Sequence, residues 1–507
     1  MTSQNQFDER HSPSEPFEVR VVDTEEETLK PYRFTLELAQ FRDQIFYLDE
    51  AGGTRILLVP LVRYLETRFK PVTWKEKLYV YDIPTGLYRE HHGEIGSAVE
   101  EICDAQGYPK PLRYLKRELV DRMKDRKVAR EDPFDKICGI PVQNCILEFS
   151  ADGSITREQY QPCHYVRCRA LAPYLEDPPE FAEGEKFLRE ISCDDPAWVR
   201  DLFRILGYCL LPGNRAQKYF VFHGIGGNGK SVLMEWVLRT LDQLAARISS
   251  RELFSGNTAQ RETSIANNIH RRLLVASEAG GAGTGKLNDD LMKRLTGDAA
   301  VSLNTIYRGE EMHEVNACLI LLANVPPPMQ NGGKAMQRRQ VCVPFDLDLP
   351  PEAQDPGLPD RLMTPEGNRW LLAQMIRGAQ ECIREECSGE FWESFCPRIR
   401  NDSRDVFAVQ DAVADFVVHE LVMDETARTP GAAAFSRWYS REFGDDQELF
   451  EERGGRGLRV PVTAAKFYAE LRAHGVEMRK KMRVNNRVMS NVLIGWRLRA
   501  GGVDGDL

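Results

Sequence analysis

The run Gly224-Ile225-Gly226-Gly227-Asn228-Gly229-Lys230-Ser231 constrains this chain more than any other part of its 507 residues. It stands between the strand-forming Tyr219-Phe220-Val221-Phe222-His223 and an amphipathic stretch that begins at Val232. A strand, a glycine turn and a helix carrying the pattern G-x-x-x-x-G-K-[ST] make a phosphate-binding loop. Glycines let the backbone curl until successive N–H groups, and the N-terminus of the following helix, point at phosphate oxygens. The pattern therefore predicts that Gly224 to Val232 cradle a nucleoside triphosphate, with Lys230 reaching the β- and γ-phosphates and the Ser231 hydroxyl on Mg²⁺. Gly224, Gly226 and Gly229 also satisfy the dinucleotide fingerprint G-x-G-x-x-G. That reading loses, because the fingerprint has no use for Lys-Ser directly after its last glycine, and no second strand ending in an acid follows about twenty residues on.

Strand and helix patterns alternate through this region, which predicts a mainly parallel sheet covered on both faces. The expected strands are Tyr219 to His223, Leu273 to Ser277, Cys318 to Ala323 and Val341 to Pro344. Leu273 to Ser277 runs into Glu278, which places a carboxylate at a strand's C-terminal tip, where ligands meet open α/β sheets. Glu278 is the candidate for polarising an attacking water and helping to hold the metal. Asn324 ends another such strand and is placed to orient that water or read the γ-phosphate. Arg338 and Arg339 precede the last strand. A guanidinium that reaches a transferring phosphoryl group stabilises its charge, and in ring ATPases the neighbouring subunit supplies it.

Chain length predicts two to four domains. We expect an acidic tail without periodicity over 1–30, an α+β domain over 31–180 and a helical collar over 181–212. The nucleotide domain follows over 213–350, then a helical segment over 351–408 and a winged-helix-like domain over 409–507. No stretch approaches the roughly 20 apolar residues of a membrane helix, and the polar N-terminus is unlike a secretory signal, so the expectation is a cytoplasmic protein with no membrane partner. Twelve cysteines without a C-x-x-C pair indicate neither a zinc ribbon nor a redox dithiol. A net charge of -10 argues at first against a nucleic-acid partner. Distribution matters more: Arg479, Lys480, Lys481, Arg483 and Arg487 form a basic stretch suited to nonspecific phosphate contacts.

The segment from about Ile140 to Pro350 resembles superfamily 3 helicases, in particular the ATPase half of poxvirus-type and phage/plasmid primase-helicases. Gly224 to Ser231 matches the Walker A motif, and Leu273 to Glu278 matches a Walker B strand ending in a single acid. Lys293-Arg294-Leu295-Thr296-Gly297-Asp298 resembles the family's extra motif, Leu319 to Asn324 its sensor strand and Arg338-Arg339 its arginine-finger segment. Upstream, Val142 to Phe149 and Phe187 to Leu211 resemble the pre-helicase region, and Gly495 to Leu498 resembles the end of a winged-helix region.

The resemblance implies an AAA+-like P-loop ATPase core flanked by an N-terminal α+β domain and a C-terminal winged-helix domain. Its activity would be that of a hexameric, Mg²⁺- and ATP-dependent DNA helicase acting in replication of a virus, plasmid or integrated element of a prokaryotic host. It further implies a DNA-gripping hairpin over about Val301 to Val315, with Arg308 and His313 near the turn and Lys293 on the preceding helix. Two features depart from the family. Asn304 stands where many relatives carry Arg, and the hairpin holds Glu310, Glu311 and Glu314. No primase half precedes the ATPase, which implies a separate primase or origin-binding protein as partner. The competing expectation is an ATP-switched DNA-binding initiator that oligomerises without unwinding.

Overall fold

The computed structural model describes residues 45–50, 52–105, 107–108, 113–224, 226–254, 262–277, 286–305, 309–327, 329, 334–385, 391–443, 463–484 and 487–499. The chain divides into two compact units, one of residues up to 148 together with 155–169, the other of 149–154 and everything from 170 onward. Among the described residues, no helix is long and apolar enough to cross a membrane.

The first unit begins with an antiparallel pair, β1 (Phe46–Leu48) and β2 (Thr54–Ile56), followed by helix α1 (Leu58–Phe69). Strands β3 (Val72–Trp74), β4 (Lys77–Asp82) and β5 (Leu87–Glu90) form an antiparallel meander. Helices α2 (Glu94–Ala105) and α3 (Arg113–Arg126) follow. Ile95, Val99 and Ile102 from α2 share one core with Leu119 and Met123 from α3 and with Leu78 and Val80 from β4. A small sheet of β6 (Ile140–Pro141), β7 (Ile146–Phe149) and β8 (Ile155–Glu158) follows in chain order.

In the second unit two helices, α4 (Ala182–Ile191) and α5 (Pro196–Tyr208), precede the strand that leads into the glycine loop. Asp195 caps α5 by accepting from the N–H groups of Ala197 and Trp198, with Pro196 at the position that lacks an N–H to satisfy. Next come β9 (Tyr219–His223), α6 (Lys230–Leu241), β10 (Ala245–Ser249), α7 (Thr263–Asn268) and β11 (Leu273–Ser277). Helix α8 (Asp289–Gly297) precedes a hairpin of β12 (Ala300–Thr305) and β13 (Gly309–Glu314), and β14 (Cys318–Ala323), α9 (Lys334–Gln337) and β15 (Gln340–Pro344) complete the core.

Five strands form one all-parallel sheet in the order β10-β11-β14-β9-β15. The four strands expected from sequence are present; β10 was missed, because Ala245–Ser249 is half-exposed at the sheet edge and lacks the continuous apolar run of a central strand. Strand β9 is buried along its whole length, and its side chains split by the two-residue period of a strand. Tyr219 and Val221 join the core formed with Leu274, Leu319, Leu321 and Met292. Phe220 and Phe222 point the other way, Phe220 lying 5.3 Å from the Trp392 ring and Phe222 5.5 Å from Phe345. Each such buried ring contributes about 1.5–3 kcal/mol of transfer free energy. Because the chain passes from β9 outward to β10 and β11 and then returns to insert β14, both neighbours of β9 arrive late in the sequence. The carboxyl end of β9 is therefore the switch point of the sheet, the position at which open α/β sheets bind their ligands.

The hairpin is tied to the sheet by Val301, Leu303 and Val315, which share the sheet's core. Beyond β15, α10 (Leu358–Leu362) and α11 (Pro365–Arg384) return to the nucleotide region, where Trp370 stacks on Trp236 of α6 with ring centroids 6.1 Å apart. The last part comprises α12 (Pro397–Glu420), β16 (Leu421–Thr429), α13 (Gly431–Phe443), α14 (Ala464–Ala473), β17 (Met478–Val484) and β18 (Arg487–Leu498). Its strands pair antiparallel in the order β16-β18-β17. Phe416, Trp438, Phe467, Leu471 and Leu493 fill its core. Strand β16 gives no strand signal in the sequence, because its acidic and exposed positions break any apolar run.

Candidate nucleotide site

The loop begins at Gly224, one residue past the end of β9, and its shape requires glycine at several points. Gly224, Gly227 and Gly229 have φ of 150°, 83° and 80°, a region that side-chain-bearing residues rarely enter. Crowding adds a second requirement. A Cβ on Gly224 would lie 2.1 Å from the Phe345 carbonyl oxygen, and one on Gly229 would lie 2.4 Å from Ile191 Cγ2. Gly226 is open on this measure and exposed. The loop is thus wedged between the backbone that leaves β15 and the collar helix α4, while its outer edge stays free.

Asn228 supports the loop from below. It is 2 % exposed, and its Nδ2 donates to the Phe345 carbonyl at 3.1 Å. Lys230 Nζ donates to Asn228 Oδ1 at 2.9 Å and to the Gly224 carbonyl at 2.7 Å. Burial without an anionic partner lowers the Lys230 pKa to about 8, because the charged form is the one that loses hydration. Gly229 is the N-cap of α6 and offers no side-chain acceptor to the first turn, so the helix's leading N–H groups and its positive dipole end are left for an anion. Ser231 is exposed and Val232 is half-buried at this same end. Ile225 lies outside the described residues.

Strand register sets the companions of the loop. Ala323 of β14 pairs with His223 of β9, so exposed Asn324 and Gly224 each directly follow the last paired residues of these neighbouring strands. Strand β11 ends at Ser277, in register with Leu322, and Glu278 lies outside the described residues.

The two arginines separate. Arg339 is 8 % exposed; its Nε donates to Thr296 Oγ1 at 3.1 Å and its Nη1 to the Ala335 carbonyl at 2.8 Å. Burial, then the adjacent Arg338 cation, hold its pKa below the ordinary guanidinium value. Arg338 is exposed, with Nη2 3.1 Å from Gln217 Oε1. Both precede β15, whose first residue pairs with Tyr219 and whose last pairs with His223. Arg338 therefore sits at the amino end of the strands, the end opposite the phosphate loop, separated from it by a five-residue strand of about 16 Å. The sequence alone could not divide their roles, since adjacent arginines look alike until the fold buries one.

The hairpin departs from expectation. His313 pairs with Val301 at its base, while the turn joins Thr305 to Gly309. His313 is thus not near the turn, because an antiparallel register carries it down the second strand to the end anchored in the core. Its Nε2 is 3.7 Å from Glu311. Lys293 projects from α8 half-exposed, 3.9 Å from Asp290, and Arg308 lies outside the described residues. Among the described residues of β13, Glu310, Met312 and Glu314 are exposed. Arg479, Lys480 and Lys481 are exposed along β17, an edge strand of the C-terminal sheet.

Sequence reasoning missed a buried pair at the base of the loop. His223 Nε2 is 2.6 Å from Asp402 Oδ2 of α12, and Asp402 Oδ1 is 4.0 Å from Lys466 Nζ of α14. The only signal was a histidine ending an otherwise apolar strand; its partners lie too far along the chain for spacing to reveal.

No family model matches the chain. A putative helicase of Acanthamoeba polyphaga mimivirus is 25% identical over 174 residues, covering 34% of this chain and 18% of that protein. The chain thus spans less than a fifth of that relative's length. Among solved structures, the A form of the apo NrS-1 C-terminal region aligns over 86% of this chain and 98% of its own at 10% identity, with a TM-score of 0.39. A second apo structure of the same region gives 12% identity and the same TM-score of 0.39, short of a shared overall fold.

Proposed function

We propose that this chain is an ATP-dependent DNA helicase of the superfamily 3 type, a ring translocase serving replication of a virus, plasmid or integrated element. 

The observation that carries this reading is the cradle itself. Three left-handed glycines, an uncapped helix N-terminus and a buried lysine amine converge at the switch point of a parallel sheet. These residues fit a triphosphate: Lys230 exchanges its two loop acceptors for phosphate oxygens, and the N–H groups of the first turn of α6 receive the rest. Ser231 and Glu278 would hold Mg²⁺, which supplies charge neutralisation on the phosphates. Asn324, directly after the strand that pairs with β9, orients the attacking water. Arg338 stands at the opposite end of the strands from its own loop, so it serves the nucleotide of a neighbouring copy, and assembly, as a hexamer, is part of catalysis. The name of the mimivirus relative supports nucleic acid as the polymer acted on. The three antiparallel strands and helices at the C-terminus serve as a winged-helix domain, with Arg479, Lys480 and Lys481 contacting phosphates.

The test is ATP hydrolysis by the full chain with and without single-stranded DNA, alongside strand displacement on a forked duplex. DNA should stimulate hydrolysis, and Lys230→Ala should abolish it; hydrolysis that persists in Lys230→Ala refutes the assignment. One observation favours a second reading. Glu310 and Glu314 are exposed on β13, the strand that would line a DNA channel, and like charge repels the phosphate backbone. An ATP-switched initiator predicts nucleotide-dependent oligomers on DNA with no displaced strand.

A further inference from the structure

Arg338 owes its placement to groups that the nucleotide site does not otherwise use. Gln217 adopts a left-handed backbone, φ 56°, unusual for a residue with a long side chain. Its Oε1 accepts from Arg338 Nη2 at 3.1 Å and from Arg339 Nη2 at 3.5 Å. Lys218 Nζ donates to the Arg338 carbonyl, so the main chain there is held as well. Beneath them Arg339 is anchored on Thr296 Oγ1, and the Thr296 hydroxyl donates to the Met292 carbonyl at 2.6 Å, leaving its lone pair for the guanidinium. Thr296 is 2 % exposed. Gly297 next to it leaves the room, since a Cβ there would lie 3.0 Å from Arg339 Nη2. Thr296 lies in the last turn of helix α8, and β12 of the hairpin begins at Ala300.

We propose that Thr296 and Gln217 are positioning residues for Arg338. Gln217 holds its guanidinium directly, and Thr296 acts through Arg339, tying the aim of Arg338 to the helix that leads into the hairpin. A change in hairpin position then alters how Arg338 meets the neighbouring copy's phosphates. This inference rests on the ring-ATPase reading above.

Steady-state ATP hydrolysis by the full-length chain tests it. Thr296→Val keeps the side chain's shape and removes the acceptor; Thr296→Ser keeps the acceptor. Gln217→Gly removes the contact while tolerating the left-handed backbone, so it does not depend on a variant that strains the fold. Both Thr296→Val and Gln217→Gly should lower kcat about ten- to hundredfold, the cost of misplacing a catalytic group by about 1 Å, with little change in KM. Thr296→Ser should restore kcat to within about threefold of the original, which a merely structural role for the threonine would not require. Wild-type kcat in either Thr296→Val or Gln217→Gly overturns the proposal, as does Thr296→Ser as slow as Thr296→Val. Arg338→Ala separates this inference from its premise. If Arg338→Ala keeps full kcat, the ring-ATPase reading itself fails; if it loses activity while Thr296→Val does not, only the positioning role fails.

Discussion

Nucleotide binding should draw protons from solution in alkaline buffer, because Lys230 is buried against neutral acceptors and has a pKa near 8 in place of 10.5. Polyphosphate placed against the amine restores the charged form, since a nearby anion raises the pKa of a cation. At about pH 7 roughly a tenth of free molecules carry a neutral Lys230, at about pH 8 half, and at about pH 9 nine-tenths, so binding takes up about those fractions of a proton. Integrated from about pH 7 to about pH 9, the affinity should fall about tenfold. Isothermal titration calorimetry in two buffers of different ionisation enthalpy reads the proton count directly, above the range in which the terminal phosphate itself titrates. Lys230→Met should flatten the pH dependence at whatever affinity remains. Proton uptake near zero at every pH from about 7.5 to 9.5 would refute the argument, since it would mean the amine is charged in the free loop.

The same shift fixes a stability trend of opposite sense. A lysine whose pKa is depressed in the fold holds fewer protons there than in the unfolded chain between about pH 8 and 10.5. Stability of the nucleotide-free protein from this group therefore rises with pH across that window and is flat below it.

Gly224→Ala should lose nucleotide binding in equilibrium titration while secondary structure by circular dichroism is kept, because the added methyl would meet the Phe345 carbonyl at 2.1 Å and displace β15 from the loop. Asn324→Ala should lower kcat about a hundredfold with KM for ATP nearly unchanged, if its amide acts on the attacking water rather than in binding. Asp402→Ala leaves buried His223 without its carboxylate and should destabilise the protein by about 1–3 kcal/mol in urea unfolding. Substituting Arg479, Lys480 and Lys481 together by alanine should reduce the slope of log affinity for DNA against log salt by about two to three.

The sequence by itself determined the loop, the strand before it, the helix after it and the alternation that makes the sheet parallel, because these follow from backbone chemistry within a few residues. Glycine at Gly224, Gly227 and Gly229 could be read without a fold, since only glycine tolerates the curl that the lysine and helix then complete. Tertiary structure decided what spacing along the chain cannot express. Adjacent Arg338 and Arg339 are equivalent until packing against Thr296 buries one and leaves the other exposed. His313 moves from the turn to the base of its hairpin because register is set by which side chains enter the core. The pairing of His223 with Asp402 joins residues 179 positions apart, and a contact at that separation exists only once the sheet and helix α12 have met.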